Sequence, residues 1–95
     1  MAAYVIGEID VKDAAGYDDY RRQVLATVQK FGGRFLARGG RAEALEGHAP
    51  PKRVVVLEFP SYERALEWYR STEYAPLIRL RQKASKGRLL LVEGA

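Results

Sequence analysis

The chain has 95 residues, a net charge of +4 from 16 basic and 12 acidic residues, and no cysteine. That length predicts one domain burying only ~60–65% of the surface its unfolded form exposes, and the 47% apolar content is too high for a disordered chain. The missing cysteines exclude disulfides, thiolate catalysis and Cys-based zinc sites.

The first ten residues, MAAYVIGEID, carry no basic start and no long apolar core, so a signal peptide is not expected there. No stretch approaches the ~20 apolar residues needed to span a bilayer, and a soluble, cytoplasmic protein is expected. Tyr4–Val11 alternates and is β-rich, which predicts the first strand. Asp13 is a suitable N-cap for a helix over Ala14–Phe31, where Tyr17, Tyr20, Val24, Val28 and Phe31 recur at steps of three and four. Gly32-Gly33 ends it.

Arg34–Arg38 predicts a second strand, with Phe35 and Ala37 on one side and Arg34, Leu36 and Arg38 on the other. Gly39-Gly40 marks a bulge or bend, and Ala42–Glu46 reads as a short continuing strand. Gly47 to Pro51 is a loop, because paired prolines do not join a central strand. Arg53–Phe59 is the strongest strand, apolar on both sides as a central strand is. Ser61 caps the next helix, whose apolar side is Ala65, Leu66, Trp68 and Tyr69. Ser71-Thr72 interrupts it. Thr72 is the expected cap of a further helical segment, with Pro76 in its first turn and Tyr74, Leu77, Ile78, Leu80 and Ala84 on its apolar face. Lys86-Gly87 reads as a turn before a last strand, Arg88–Val92.

The order βαββαβ predicts an α+β, ferredoxin-like sheet of order 4-1-3-2 with its helices on one face. The other face then carries Ile6, alternate residues of the central strand and one side of the last strand. An apolar face of that size is unusual on a monomer, so a homodimer with a barrel-like core between two sheets is expected.

The strings YxxYRRQ (Tyr17–Gln23), GGRFLARGG (Gly32–Gly40), LEG (Leu45–Gly47), RVVVLEFPS (Arg53–Ser61) and WYRSTEY (Trp68–Tyr74) span nearly the whole chain. Together they resemble the small bacterial family of domain of unknown function 1330, in the dimeric α+β barrel superfamily. That resemblance implies a ferredoxin-like protomer and a homodimer whose sheets face each other. Superfamily relatives include cofactor-free monooxygenases, muconolactone isomerases, chlorite dismutases and dye-decolourising haem enzymes. A shared fold does not choose among these activities.

Several residues are candidates for chemistry. His48, the sole histidine, is the natural acid/base group at neutral pH, or an exposed loop residue. One histidine argues against a histidine-clustered metal site, and no cofactor is expected. Arg38 either presents its fork to a carboxylate ligand or pairs with Glu8 across the sheet. Trp68, Tyr69, Tyr74 and Tyr20 form a pocket wall or a packed core, Trp68 being the most core-like and Tyr69 and Tyr74 the more open. Arg81 is the cation nearest to Tyr74 on its segment, or simply a solvated side chain. Glu8 and Glu58 fall toward opposite ends of the sheet and make no catalytic pair. GGRFLARGG lacks the Gly-Lys-Ser/Thr ending of a phosphate loop.

Two functions fit. One is a site between helices and sheet for an apolar or aromatic acid, with cofactor-independent catalysis by a tyrosine or His48 and an anion held by Arg38 or Arg81. It requires an enclosed pocket of at least ~300 Å³ with Arg38, Tyr69 or Tyr74 pointing inward. The other is a non-catalytic dimer that binds a metabolite or a protein. The basic residues are scattered, which does not favour nucleic acid.

Overall fold

The computed structural model describes residues 1–47 and 49–95, so the acid/base candidate His48 lies outside the described residues. The chain runs β1 (Ala3–Val11), α1 (Ala14–Lys30), β2 (Arg34–Arg38), β3 (Arg53–Phe59), α2 (Tyr62–Tyr69), α3 (Ala75–Ala84) and β4 (Ser85–Glu93). The strands form one antiparallel sheet in the order β2-β3-β1-β4, which is the expected 4-1-3-2 read from the opposite edge.

Local chemistry sets most boundaries. The Asp13 side chain accepts from the Gly16 N–H at 3.2 Å, and Ser61 Oγ accepts from the Arg64 N–H at 3.1 Å, so both predicted caps form. Gly32 takes φ +80, and the Gly33 N–H reaches back to the Val28 carbonyl at 2.9 Å, closing α1.

Three expectations are corrected. Ala42–Glu46 forms no strand. Thr72 does not cap α3. Ser71 Oγ accepts from the Tyr74 N–H at 3.1 Å and donates to the Trp68 carbonyl at 2.7 Å, tying the end of α2 to the start of α3. Lys86-Gly87 is not a turn: β4 begins at Ser85, immediately after α3. Gly87 is there because the Glu8 carbonyl of β1 comes so close that a Cβ would collide with it.

The register resolves the two faces. Val5, Ile9, Val55, Leu57 and Phe59 are buried with Tyr17, Tyr20, Val24, Val28, Trp68, Tyr74 and Leu77 from the helices. The opposite face pairs Ile6 with Val56 and Leu90, Glu8 with Val54 and Arg88, and Tyr4 with Glu58 and Val92. Among the described residues no helix covers it, the segment after Gly39 borders only its Glu8–Val54 end, and Leu90 and Val92 are 37% and 44% exposed. Among the described residues, no helix is long and apolar enough to cross a membrane.

Candidate functional site

The site is built where the three helices meet the covered face of the sheet. Tyr20 comes from α1, at its buried 3.6-residue stripe. Trp68 lies in the last turn of α2, and Tyr74 precedes α3 at the Ser71-stabilised corner. The Tyr20 and Tyr74 hydroxyls are hydrogen-bonded at 2.7 Å. Trp68 stacks on Tyr74 with centroids 4.1 Å apart, and its Nε1–H donates to Thr27 Oγ1 at 3.0 Å. Tyr74 is completely buried, so the expectation that it is more open than Trp68 is corrected. Tyr69 is open as expected, at 39% exposure.

Arg81 is not solvated either. It is 6% exposed, and its Nε has no acceptor. Among the described residues it makes no salt bridge, whereas Arg22, Arg34 and Arg64 each have a carboxylate partner. Burial opposes the Arg81 charge, while the Tyr74 and Tyr20 oxygens act the other way, and the balance raises its proton affinity. Burial also pushes the proton affinity of both phenols up. At neutral pH the guanidinium therefore faces phenol dipoles instead of phenolate charges.

Two cavities adjoin at Arg81. The first is a narrow cleft of about 20 Å³, space for roughly one water, with Tyr20, Tyr74, Arg21, Arg38, Arg53 and Arg81 on its walls. The second, about 320 Å³, lies between α2, α3 and β4 and is lined by Leu66, Trp68, Tyr69, Arg81, Leu89 and Leu91 among others. Trp68, Arg81 and Leu89 border both. The expected pocket is thus divided. Arg38 and Tyr74 face the tight cleft, while the space of ligand size belongs to Tyr69.

Arg38 reaches the helix side through a bulge at Leu36. Phe35 pairs with Leu57, but Ala37 pairs with Val56 and Arg38 with Val55, so one extra residue flips Arg38 to the covered face. Its Nη2 donates to the Arg21 carbonyl at 2.6 Å, and its guanidinium lies 4.3 Å from the Phe35 ring centroid. The Glu8–Arg38 pair therefore does not form. Glu8 stays on the open face opposite Arg88 and Val54.

Arg53, Arg21 and Tyr17 were missed. Arg53 shares the alternation of Val55, Leu57 and Phe59, a period-two signal that places it on the buried side. Its guanidinium sits 5.4 Å from the Tyr17 ring centroid. Among the described residues, no group of three or more His, Asp or Glu side chains is placed to hold a metal ion.

The family description "Domain of unknown function (DUF1330)" matches residues 2–95, essentially the whole length. The chain belongs to the DUF1330 family. No curated protein matches this DUF1330 chain. Among solved structures it is similar to a protein of unknown function from Rhodopseudomonas palustris, with TM-score 0.80 and 19% identity, covering 99% of this chain and 82% of that one. It is also similar to SnoaB, a cofactor-independent oxygenase from Streptomyces nogalater, with TM-score 0.71 and 12% identity over 99% and 93% of the two chains. A dimeric protein of unknown function and ferredoxin-like fold from Bacteroides fragilis matches with TM-score 0.56 and 6% identity over 98% and 96%. At these identities the DUF1330 chain shares with them a fold, and no activity follows from it.

Proposed function

We propose that this protein binds a small aromatic or apolar acid in the cavity between α2, α3 and β4, with the acid group on Arg81. One observation carries the reading: a guanidinium 6% exposed, bordering a cavity of about 320 Å³, with no carboxylate partner among the described residues. A buried charge without a counter-ion is costly, and an anionic ligand supplies one. Trp68, Tyr69, Leu66 and Leu91 give the ligand's body an apolar wall, and the volume falls in the range of small-molecule pockets.

The Tyr20–Tyr74 pair faces the adjoining narrow cleft and backs Arg81 from that side. Held neutral by burial, these phenols present uncharged oxygens to Arg81 and give up no proton readily near pH 7. SnoaB is a cofactor-independent oxygenase on a similar fold, and a cofactor-free conversion of the bound acid is the catalytic form of this reading.

The test is thermal shift and calorimetry with aromatic carboxylates alongside their neutral amides. Acids should stabilise the protein, by ~2.7 kcal/mol at about 100 times the dissociation constant, and amides should not. Arg81→Gln should remove the difference. Equal responses to acid and amide, or none to either, would sink the proposal.

A homodimer through the open sheet face is the second reading. Its support is the row of Ile6, Val54, Val56, Leu90 and Val92, which no helix covers.

A further inference from the structure

We propose that Arg21, Arg38 and Arg53 form a second anion site on the solvent side of the narrow cleft, where Arg21 is exposed, suited to a doubly charged oxyanion such as a phosphate monoester or a dicarboxylate. It does not rest on the Arg81 reading, because its residues lie on α1, β2 and β3 and the larger cavity does not touch them.

The three cations are held together by neutral groups. Arg38 is fixed between the Phe35 ring and the Arg21 carbonyl. Arg53 lies over the Tyr17 ring, and its Nη2 points to the Arg38 carbonyl at a long 3.5 Å. The Arg38 and Arg53 guanidiniums are thus each oriented by an aromatic face and a backbone oxygen, most of their N–H donors stay uncommitted, and Arg21 adds an exposed charge beside them. Among the described residues none of the three forms a salt bridge, and no Asp or Glu lines the cleft. The Arg53 Nε is buried without an acceptor. Burial and the neighbouring Arg21 and Arg53 charges lower the proton affinity of Arg38.

Bringing these charges together takes two departures from regular strand geometry. The bulge at Leu36 turns Arg38 inward. Gly39 then adopts φ +74, and a side chain there would collide with the Arg53 guanidinium. A solvated surface arginine needs neither. Like charges gathered by special backbone geometry, with no acid beside them, mark a place where an anion completes the set. Three forks leave two positive charges over a monocarboxylate, so a dianion is the better match.

The test is an NMR titration of the arginine Nε–Hε signals at constant ionic strength with inorganic phosphate, succinate and chloride. Saturable shifts at Arg38 and Arg53 with phosphate or succinate, absent with chloride, are expected. The tighter of the two identifies the ligand as phosphate-like or dicarboxylate-like. Arg38→Gln should weaken binding about tenfold or more, Arg53→Lys should weaken it while keeping the charge, and Arg88→Gln, on the opposite face of the sheet, should leave it unchanged. Shifts that do not saturate, that chloride reproduces, or that survive Arg38→Gln would overturn the site. Loss of phosphate binding in Arg88→Gln would place the anion elsewhere and overturn it too.

Discussion

Tyr20 and Tyr74 share a buried hydrogen bond of 2.7 Å across 54 positions of sequence, joining the middle of α1 to the corner before α3. Removing one hydroxyl leaves the other without its partner, in a site closed to bulk water. Tyr20→Phe should therefore cost about 1–3 kcal/mol. The double variant Tyr20→Phe/Tyr74→Phe should cost less than the sum of the two single changes, because their mutual bond is lost only once. Urea denaturation of the three variants measures the coupling. Strict additivity would mean the two hydroxyls act independently.

The same burial sets an alkaline limit. Burial raises the proton affinity of both phenols, and in Tyr20 the oxygen of Tyr74 adds to it. Unfolded tyrosines ionise near pH 10 while these two stay protonated in the folded state. The folded chain then binds more protons than the unfolded one, so stability is full below about pH 10 and falls as pH rises beyond it. Phenolate absorbance should show Tyr20 and Tyr74 titrating only as the protein unfolds. Reversible titration of either phenol in a folded chain would contradict this.

At neutral pH, where Tyr20 and Tyr74 carry no charge to offset it, burial opposes the Arg81 charge. Replacing an unpaired buried charge by an apolar side chain of similar length removes a desolvation cost. Arg81→Met is expected to stabilise the ligand-free protein by about 1–3 kcal/mol, while abolishing the response to aromatic acids. A destabilised Arg81→Met would mean that the guanidinium is satisfied within the chain.

The open face gives a test of assembly. Val56→Asp places a charge in the middle of the uncovered row, where it pairs with Ile6 on β1. Sedimentation should show a dimer for the parent chain and a monomer for the variant at micromolar concentration. Ala26→Asp, on the exposed side of α1, should leave assembly unchanged. A parent chain that sediments as a monomer removes the dimer.

Much of the frame is written locally. Asp13 and Ser61 cap helices by their own side chains, Gly32 ends one by its φ, and the Val-rich run of β3 reads as a central strand. The site is less local. A period-two count puts Arg38 beside Arg34, because nothing in the string RFLAR announces the extra residue that pairing with β3 forces at Leu36. Tyr74 looks open until Trp68 and Tyr20 close over it from other elements. Gly87 reads as a turn glycine, although it is a strand residue that makes room for a neighbouring carbonyl. Arg53 was the recoverable miss, since its alternation with Val55 was visible and only its charge argued for solvent.

The passage from α3 straight into β4 has no slack. The Ala84 carbonyl accepts from both the Lys12 and Asp13 N–H groups at 2.9 Å, pinning the junction to the start of α1. Arg81 lies one turn before that pin, and Leu90 and Val92 follow it on a strand of fixed register. A single inserted residue at position 85 would turn every β4 side chain to the opposite face. Length variation among related chains should therefore collect after Gly39 and be excluded at this junction, where ligand cavity and uncovered sheet are set by one uninterrupted stretch of backbone.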